Sequence, residues 1–273
     1  MNVDGVQVSY LEVGTGERAV VLLHGFPLRA EMWAPQLATL SPLARIVAPD
    51  LAGFGRSDVA PEPLRHTMAD YVAQVAGLLR ALGLQRVVLG GLSMGGYVAF
   101  SFLRRHPELV EALVLADTRA AADAKEVADR RSAQQDQIVA EGTTALRESF
   151  LEGLLGRTTS EGRPALVRRV RGLTDHPPDA FLAALQAMKS RPDCSADLPG
   201  IEVPTLVLVG EEDRLSPPAE VRAWQEAIPG SRLAVLPRAG HLSNLEAPDD
   251  FNAAVAAFLA DLPPPGSAVY PED

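Results

Sequence analysis

Basic residues are scarce: 25 Lys and Arg stand against 35 Asp and Glu, a formal net charge of −10. A surface of that sign argues against nucleic acid as a partner and disfavours anionic membranes. Cysteine is nearly absent, and the single Cys194 cannot close an internal disulfide. Residues 1–16 hold neither a basic n-region nor an apolar h-region, and no apolar run approaches bilayer length. A cytoplasmic location is therefore the expectation. No His, Cys or carboxylate cluster has metal-ligand spacing. There is no G-x-x-x-x-G-K-[ST] loop, and the glycines at 90–96 do not fit G-x-G-x-x-G. No cofactor and no metal are expected.

What is present suits one large α/β domain or a core with a small insert. The chain has 273 residues, 47% of them hydrophobic, enough to bury a sizeable core. Residues 6–13 alternate and end at Gly14-Thr15-Gly16, which predicts a leading antiparallel hairpin with 19–23. Further strands are expected over 45–49, 86–90, 110–116, 205–210 and 232–236. Helices are expected over 67–82, closed by Gly83, and 94–105. Strands alternating with helices imply a mostly parallel sheet covered on both faces. Residues 119–195 break the rhythm. They contain no convincing strand and four helical stretches, at 120–141, 144–155, 164–173 and 179–189. This region is expected to form a helical cap on a core made of 1–118 and 196–262. The proline-rich, acidic tail at 263–273 is expected to be disordered.

One hexapeptide carries the chemistry. Gly91-Leu92-Ser93-Met94-Gly95-Gly96 lies between an apolar strand and an apolar helix, so it is a G-x-S-x-G nucleophile elbow in its proper setting. The turn pushes the Ser93 hydroxyl out of the sheet, and the Met94 N–H points at the same spot. A serine hydroxyl is a weak nucleophile until a base takes its proton. Histidine serves near neutral pH, and a carboxylate fixes its tautomer. Asp213 follows the strand ending at Gly210, and His241 follows the strand ending at Leu236. Ser93, Asp213 and His241 thus all lie in loops after strands, where open parallel sheets build their sites. Asp117, just past the strand ending at Ala116, competes with Asp213 as the acid.

From about residue 3 to about residue 262 the chain resembles the α/β-hydrolase-fold enzymes. The resemblance rests on four stretches. His24-Gly25-Phe26-Pro27 resembles the family's oxyanion loop, and 50–57, DLAGFGRS, resembles its D-x-x-G-x-G-x-S loop. The elbow at Ser93 is the third, and the strand-end loops at Asp213 and His241 are the fourth. The resemblance implies an oxyanion hole made by the backbone N–H groups of Phe26 and Met94. It also favours Asp213, since Gly210-x-x-Asp213 matches the usual acid loop. Relatives that dehalogenate or open epoxides carry aspartate at the elbow, so an alkyl-enzyme ester is not expected here. The pattern through Trp33 is most similar to small esterases, enol-lactonases and cofactor-free perhydrolases.

The expected activity is hydrolysis of small to medium carboxylic esters through an acyl-enzyme, with a small-molecule ester or lactone as the partner. Three alternatives stay open: an enol-lactonase or carbon–carbon bond hydrolase, a perhydrolase, and a ligand-binding member without turnover. The enol-lactonase or carbon–carbon bond hydrolase needs a polar or cationic pocket for an acid substrate, for which Arg168, Arg169 and Arg171 are candidates; a solvated basic face is the simpler meaning of those three. His24 is a weak rival to His241 as base, and His66, His106 and His176 read as surface residues. Glu211 and Glu212 read as solvated neighbours of the acid. Asp50 is expected to fix its own loop, and Arg56 to bond carbonyls nearby. Trp33 suits either pocket floor or core, and Cys194 has no histidine near it in sequence.

Overall fold

The computed structural model describes residues 1–3 and 5–265. The first strands are β1 (Asn2–Val3), β2 (Val6–Gln7), β3 (Tyr10–Val13), β4 (Ala19–Leu23) and β5 (Arg45–Pro49), with helix α1 (Ala34–Leu40) between the last two. Helix α2 (Met68–Ala81), β6 (Val87–Leu92), α3 (Met94–Arg105) and β7 (Val110–Ala116) follow. Helices α4 (Lys125–Glu141), α5 (Thr144–Leu154), α6 (Arg157–Gly162), α7 (Pro164–Leu173) and α8 (Pro178–Lys189) come next, without a strand among the described residues. The chain closes with β8 (Thr205–Gly210), α9 (Pro218–Gln225), β9 (Arg232–Leu236), α10 (Ser243–Glu246) and α11 (Pro248–Asp261).

Seven strands form one sheet in the order β3-β5-β4-β6-β7-β8-β9. All pairs are parallel except β3 with β5. Alternating side chains of β4 serve the two faces. Val21 and Leu23 join the core under α2 and α3, while Val20 and Leu22 join the core under α1 and α11. Because both faces are covered, the central strands are continuous apolar runs rather than alternating ones. Helix α2 starts at a capping box in which Thr67 and Asp70 satisfy each other's backbone N–H groups. Among the described residues no helix is long and apolar enough to cross a membrane.

The expected leading hairpin is not formed. β2 pairs with β1 in a separate two-stranded ribbon, and β3 pairs with β5, with Tyr10 opposite Pro49. The buried strand β4 lies between β5 and β6 instead. Every residue of β4 is buried, whereas β3 is partly exposed along its length, so β3 takes the edge. Gly14, at φ +78°, brings the chain against the start of β5, where a Cβ would stand 2.1 Å from the Ala44 carbonyl oxygen.

Two further expectations need correction. Helix α4 begins at Lys125, not 120, because residues 120–124 turn to bury Asp123 between Arg131 and Arg191. His66 and His176 are buried rather than on the surface. His66 packs against Tyr71, and His176 accepts the Gly55 N–H on Nδ1 while Nε2 meets the Leu173 carbonyl. Burial holds both imidazoles below their ordinary pKa. Most of the acidic tail, residues 266–273, lies outside the described residues.

Candidate functional site

Strand β6 ends in a turn that only small neighbours permit. Ser93 has φ +54° and ψ −114°, a conformation that side chains rarely take. A Cβ at Gly91 would stand 2.2 Å from the Gly95 carbonyl oxygen, and one at Gly95 would stand 2.2 Å from that of Leu23. Glycine at both positions lets α3 start directly behind the serine. The turn is pinned by β7: the Ser93 N–H donates to the Ala116 carbonyl at 2.9 Å, and the Thr118 hydroxyl donates to the Ser93 carbonyl at 2.8 Å.

The loops after β8 and β9 bring two more groups to this point. His241 Nε2 is 2.8 Å from Ser93 Oγ. His241 Nδ1 is 2.8 Å from Asp213 Oδ2. With Asp213 ionised, Nδ1 carries the proton and Nε2 faces the serine hydroxyl as an acceptor. The acid is held in turn. Asp213 Oδ1 accepts the N–H groups of Leu215 and Ser216 at 2.8 and 3.0 Å, and Oδ2 accepts the Ser216 hydroxyl at 2.6 Å. Sequence reasoning missed Ser216, although an Asp three residues before a Ser and a Pro-Pro helix start is a recognisable Asx-type turn.

Burial alone would depress the His241 pKa, but the Asp213 charge and hydrogen bond outweigh it and hold the imidazole above 6.5. Burial likewise pushes the Asp213 carboxyl up, and the His241 charge, its hydrogen bond and the Ser216 donors outweigh that, leaving it below the usual aspartate value. Each member of the pair thus favours the charged form of the other.

Asp117 has a different task. It is fully buried at φ +46°, and it accepts the Gly210 N–H at 2.9 Å on Oδ1 and the Ser243 hydroxyl on Oδ2. It ties the ends of β7 and β8 to α10. Burial, reinforced by the nearby Asp213 charge, raises its pKa well above the normal aspartate value. Burial thus disfavours a second negative charge beside the Asp213–His241 pair.

The remaining candidates separate cleanly. His24 Nε2 accepts the Leu51 N–H at 2.9 Å, its Nδ1 lies 3.1 Å from the Gly25 carbonyl, and burial lowers its pKa to about 4. It braces the 24–27 loop against the 50–57 loop. Among the described residues, neither the Phe26 nor the Met94 N–H takes a protein acceptor. Asp50 accepts the N–H groups of Ala30 and Arg56, as its loop role requires, while the Arg56 side chain is exposed instead of bonding carbonyls. Trp33 is core, packed against Phe251. Cys194 is buried after α8, and that burial raises its thiol pKa. Arg168, Arg169 and Arg171 are all exposed, and Arg171 pairs with Glu148. Glu212 is not free in solvent: it accepts the Thr158 N–H at 2.8 Å and the Thr158 hydroxyl at 2.5 Å. No group of three or more metal-ligating side chains occurs among the described residues.

Comparison with known proteins identifies relatives of the same fold. The chain is 31% identical over 274 residues to a 2-hydroxy-6-oxononadienedioate/2-hydroxy-6-oxononatrienedioate hydrolase of Burkholderia vietnamiensis, covering 93% of this chain and 91% of that one. A thermophilic esterase from Thermogutta terrifontis superposes with a TM-score of 0.91 at 38% identity, over 94% of each chain. The enol-lactonase of Burkholderia xenovorans superposes with a TM-score of 0.87 at 30% identity, over 95% of this chain and 98% of that one. The family model of the α/β hydrolase fold matches residues 18–248. With the match running from β4 through the His241 loop, this chain belongs to the α/β-hydrolase-fold family.

Proposed function

We propose that this protein is a serine hydrolase of small to medium carboxylic esters. The observation that carries the reading is the continuous Asp213–His241–Ser93 relay, with 2.8 Å at each imidazole nitrogen. Ser93 Oγ attacks the ester carbonyl carbon while His241 Nε2 takes its proton. Asp213 stabilises the imidazolium that results. The carbonyl oxygen becomes an oxyanion held by the N–H groups of Phe26 and Met94, each donor contributing a factor of roughly 10²–10³. His241 then protonates the leaving alcohol, and in the second half-reaction it activates the water that releases the acid.

Residues 119–195 act in this reading as a cap over the serine. Phe26 of the oxyanion loop meets Phe150 of α5 and Phe181 of α8 edge to face, at ring separations of 5.1 and 5.4 Å. That aromatic junction favours an apolar acyl group. The exposed positions of Arg168, Arg169 and Arg171 speak against their holding the acid substrate of a carbon–carbon bond hydrolase.

The test is a series of p-nitrophenyl esters of rising acyl length, followed before the steady state and across pH. A burst of nitrophenol equal to the enzyme concentration is expected. His241 must be neutral to act as base, and its pKa is raised. So kcat/KM should be flat at alkaline pH and fall as pH drops through a value above 6.5. Turnover without a burst at any chain length, or activity undiminished below pH ~5, would reject the mechanism.

A further inference from the structure

The cap does not merely lie over the serine; it is bonded to both loops that carry its partners. At the start of α6 the chain passes against the residue before His241. A Cβ on Gly240 would stand 2.1 Å from Gly156 N and 2.7 Å from the Leu155 carbonyl carbon. Neither backbone leaves room for a side chain at that crossing.

Two carboxylates fasten the same turn. Glu212, immediately before Asp213, holds Thr158 by its N–H and hydroxyl. Glu246, in α10, holds Gly156 and the histidine loop together. Its Oε2 accepts the Gly156 N–H at 2.9 Å, and its Oε1 accepts the Leu242 N–H at 3.2 Å. Thr159 and the Gly240 N–H also donate to it. Arg163, at the far end of α6, donates to the Glu246 backbone carbonyl at 2.5 Å. Glu246 is 5% exposed, a burial that costs a carboxylate heavily unless donors surround it. Here the donors come from both sides of the cap–core junction, and two of them flank His241 in sequence.

We propose that Glu246 is a positioning residue for His241, so that the imidazole's aim at Ser93 depends on the cap being docked at Gly156. The argument rests on the serine-hydrolase reading above. It adds that α6 acts as part of the site's framework and not only as a wall of the acyl pocket. Leu242 follows the imidazole directly, and its N–H is fixed by the carboxylate that also fixes the cap. Loss of that carboxylate frees the His241 loop on one side while Asp213 still holds it on the other. The acidic groups facing His241 are Asp213, Asp117 and Glu246, and each, where ionised, favours its protonated form.

The test uses a small fluorophosphonate that labels Ser93 without filling the acyl pocket, so the readout is serine reactivity alone. The full chain is labelled across pH, and the adduct is located by peptide mass. Wild type should be labelled at Ser93. Glu246→Gln keeps the shape but turns one acceptor into a donor facing an N–H. It should label more slowly by on the order of 10²-fold, the cost of a misplaced reacting group. Its acid limb should also move to lower pH, because a negative charge near the imidazole is gone. A folded E246Q with the wild-type rate and limb would overturn the proposal. If E246Q does not fold, Arg163→Ala carries the test. That side chain is exposed and bonds only the Glu246 carbonyl among the contacts described, so slower labelling supports the proposal and an unchanged rate overturns it. Wild-type protein that is not labelled at Ser93 would instead reject the serine-hydrolase reading itself.

Discussion

Ser93→Ala is expected to cut ester turnover by roughly 10⁶-fold, as loss of the nucleophile does when the base and the acid are left without a target. The fold should survive. The substitution removes one half-buried oxygen and the bond to His241, while the backbone bonds to Ala116 and Thr118 remain. Alanine tolerates φ +54° no worse than serine, since both carry a Cβ. Thermal unfolding should therefore change little while kcat collapses. Turnover within about tenfold of wild type in the folded variant would mean that another group performs the attack.

The second large effect separates two buried acids. Asp213→Asn should lower kcat by about 10⁴-fold, because an amide brings no charge to stabilise the imidazolium and its NH2, turned toward Nδ1, imposes the wrong tautomer. It also leaves the Ser216 and Leu215 donors facing a neutral group. Asp117→Asn should cost only a few-fold by comparison. Its carbonyl oxygen still accepts the Gly210 N–H, and its amide donates to Ser243 Oγ. Burial already favours the neutral form of this acid, so replacing it by a neutral amide changes little. Side-by-side kcat measurements at pH 7 decide the matter: the reverse ranking would move the acid role to Asp117.

Much of this site was legible because its parts are local. The elbow needs glycines at fixed offsets, and each strand-end residue follows an apolar run, so 93, 213 and 241 can be read without knowing how strands pair. Pairing itself was not legible. Residues 6–13 alternate as a hairpin arm should, but β4 is buried on both faces and must take parallel neighbours, which displaces β3 to the far side of β5. Helix α6 carries no apolar stripe in Arg-Thr-Thr-Ser-Glu-Gly; its first turn is satisfied by Glu212 and Glu246, which are distant in sequence. His176 and His66 were misread for a related reason. Their flanking residues are polar or proline, and only the packed loops around them remove the solvent. Asp117 and Asp213 look alike as acids after strands; what distinguishes them is which one meets His241 Nδ1.

The most direct test of the account is to find the acyl group. The protein is mixed with a p-nitrophenyl ester, quenched in acid within the burst, digested and weighed by mass spectrometry. The expected result is one added acyl mass on the peptide carrying Ser93, in an amount matching the burst. An acyl group on any other residue, or rapid turnover with no adduct at Ser93, would contradict it.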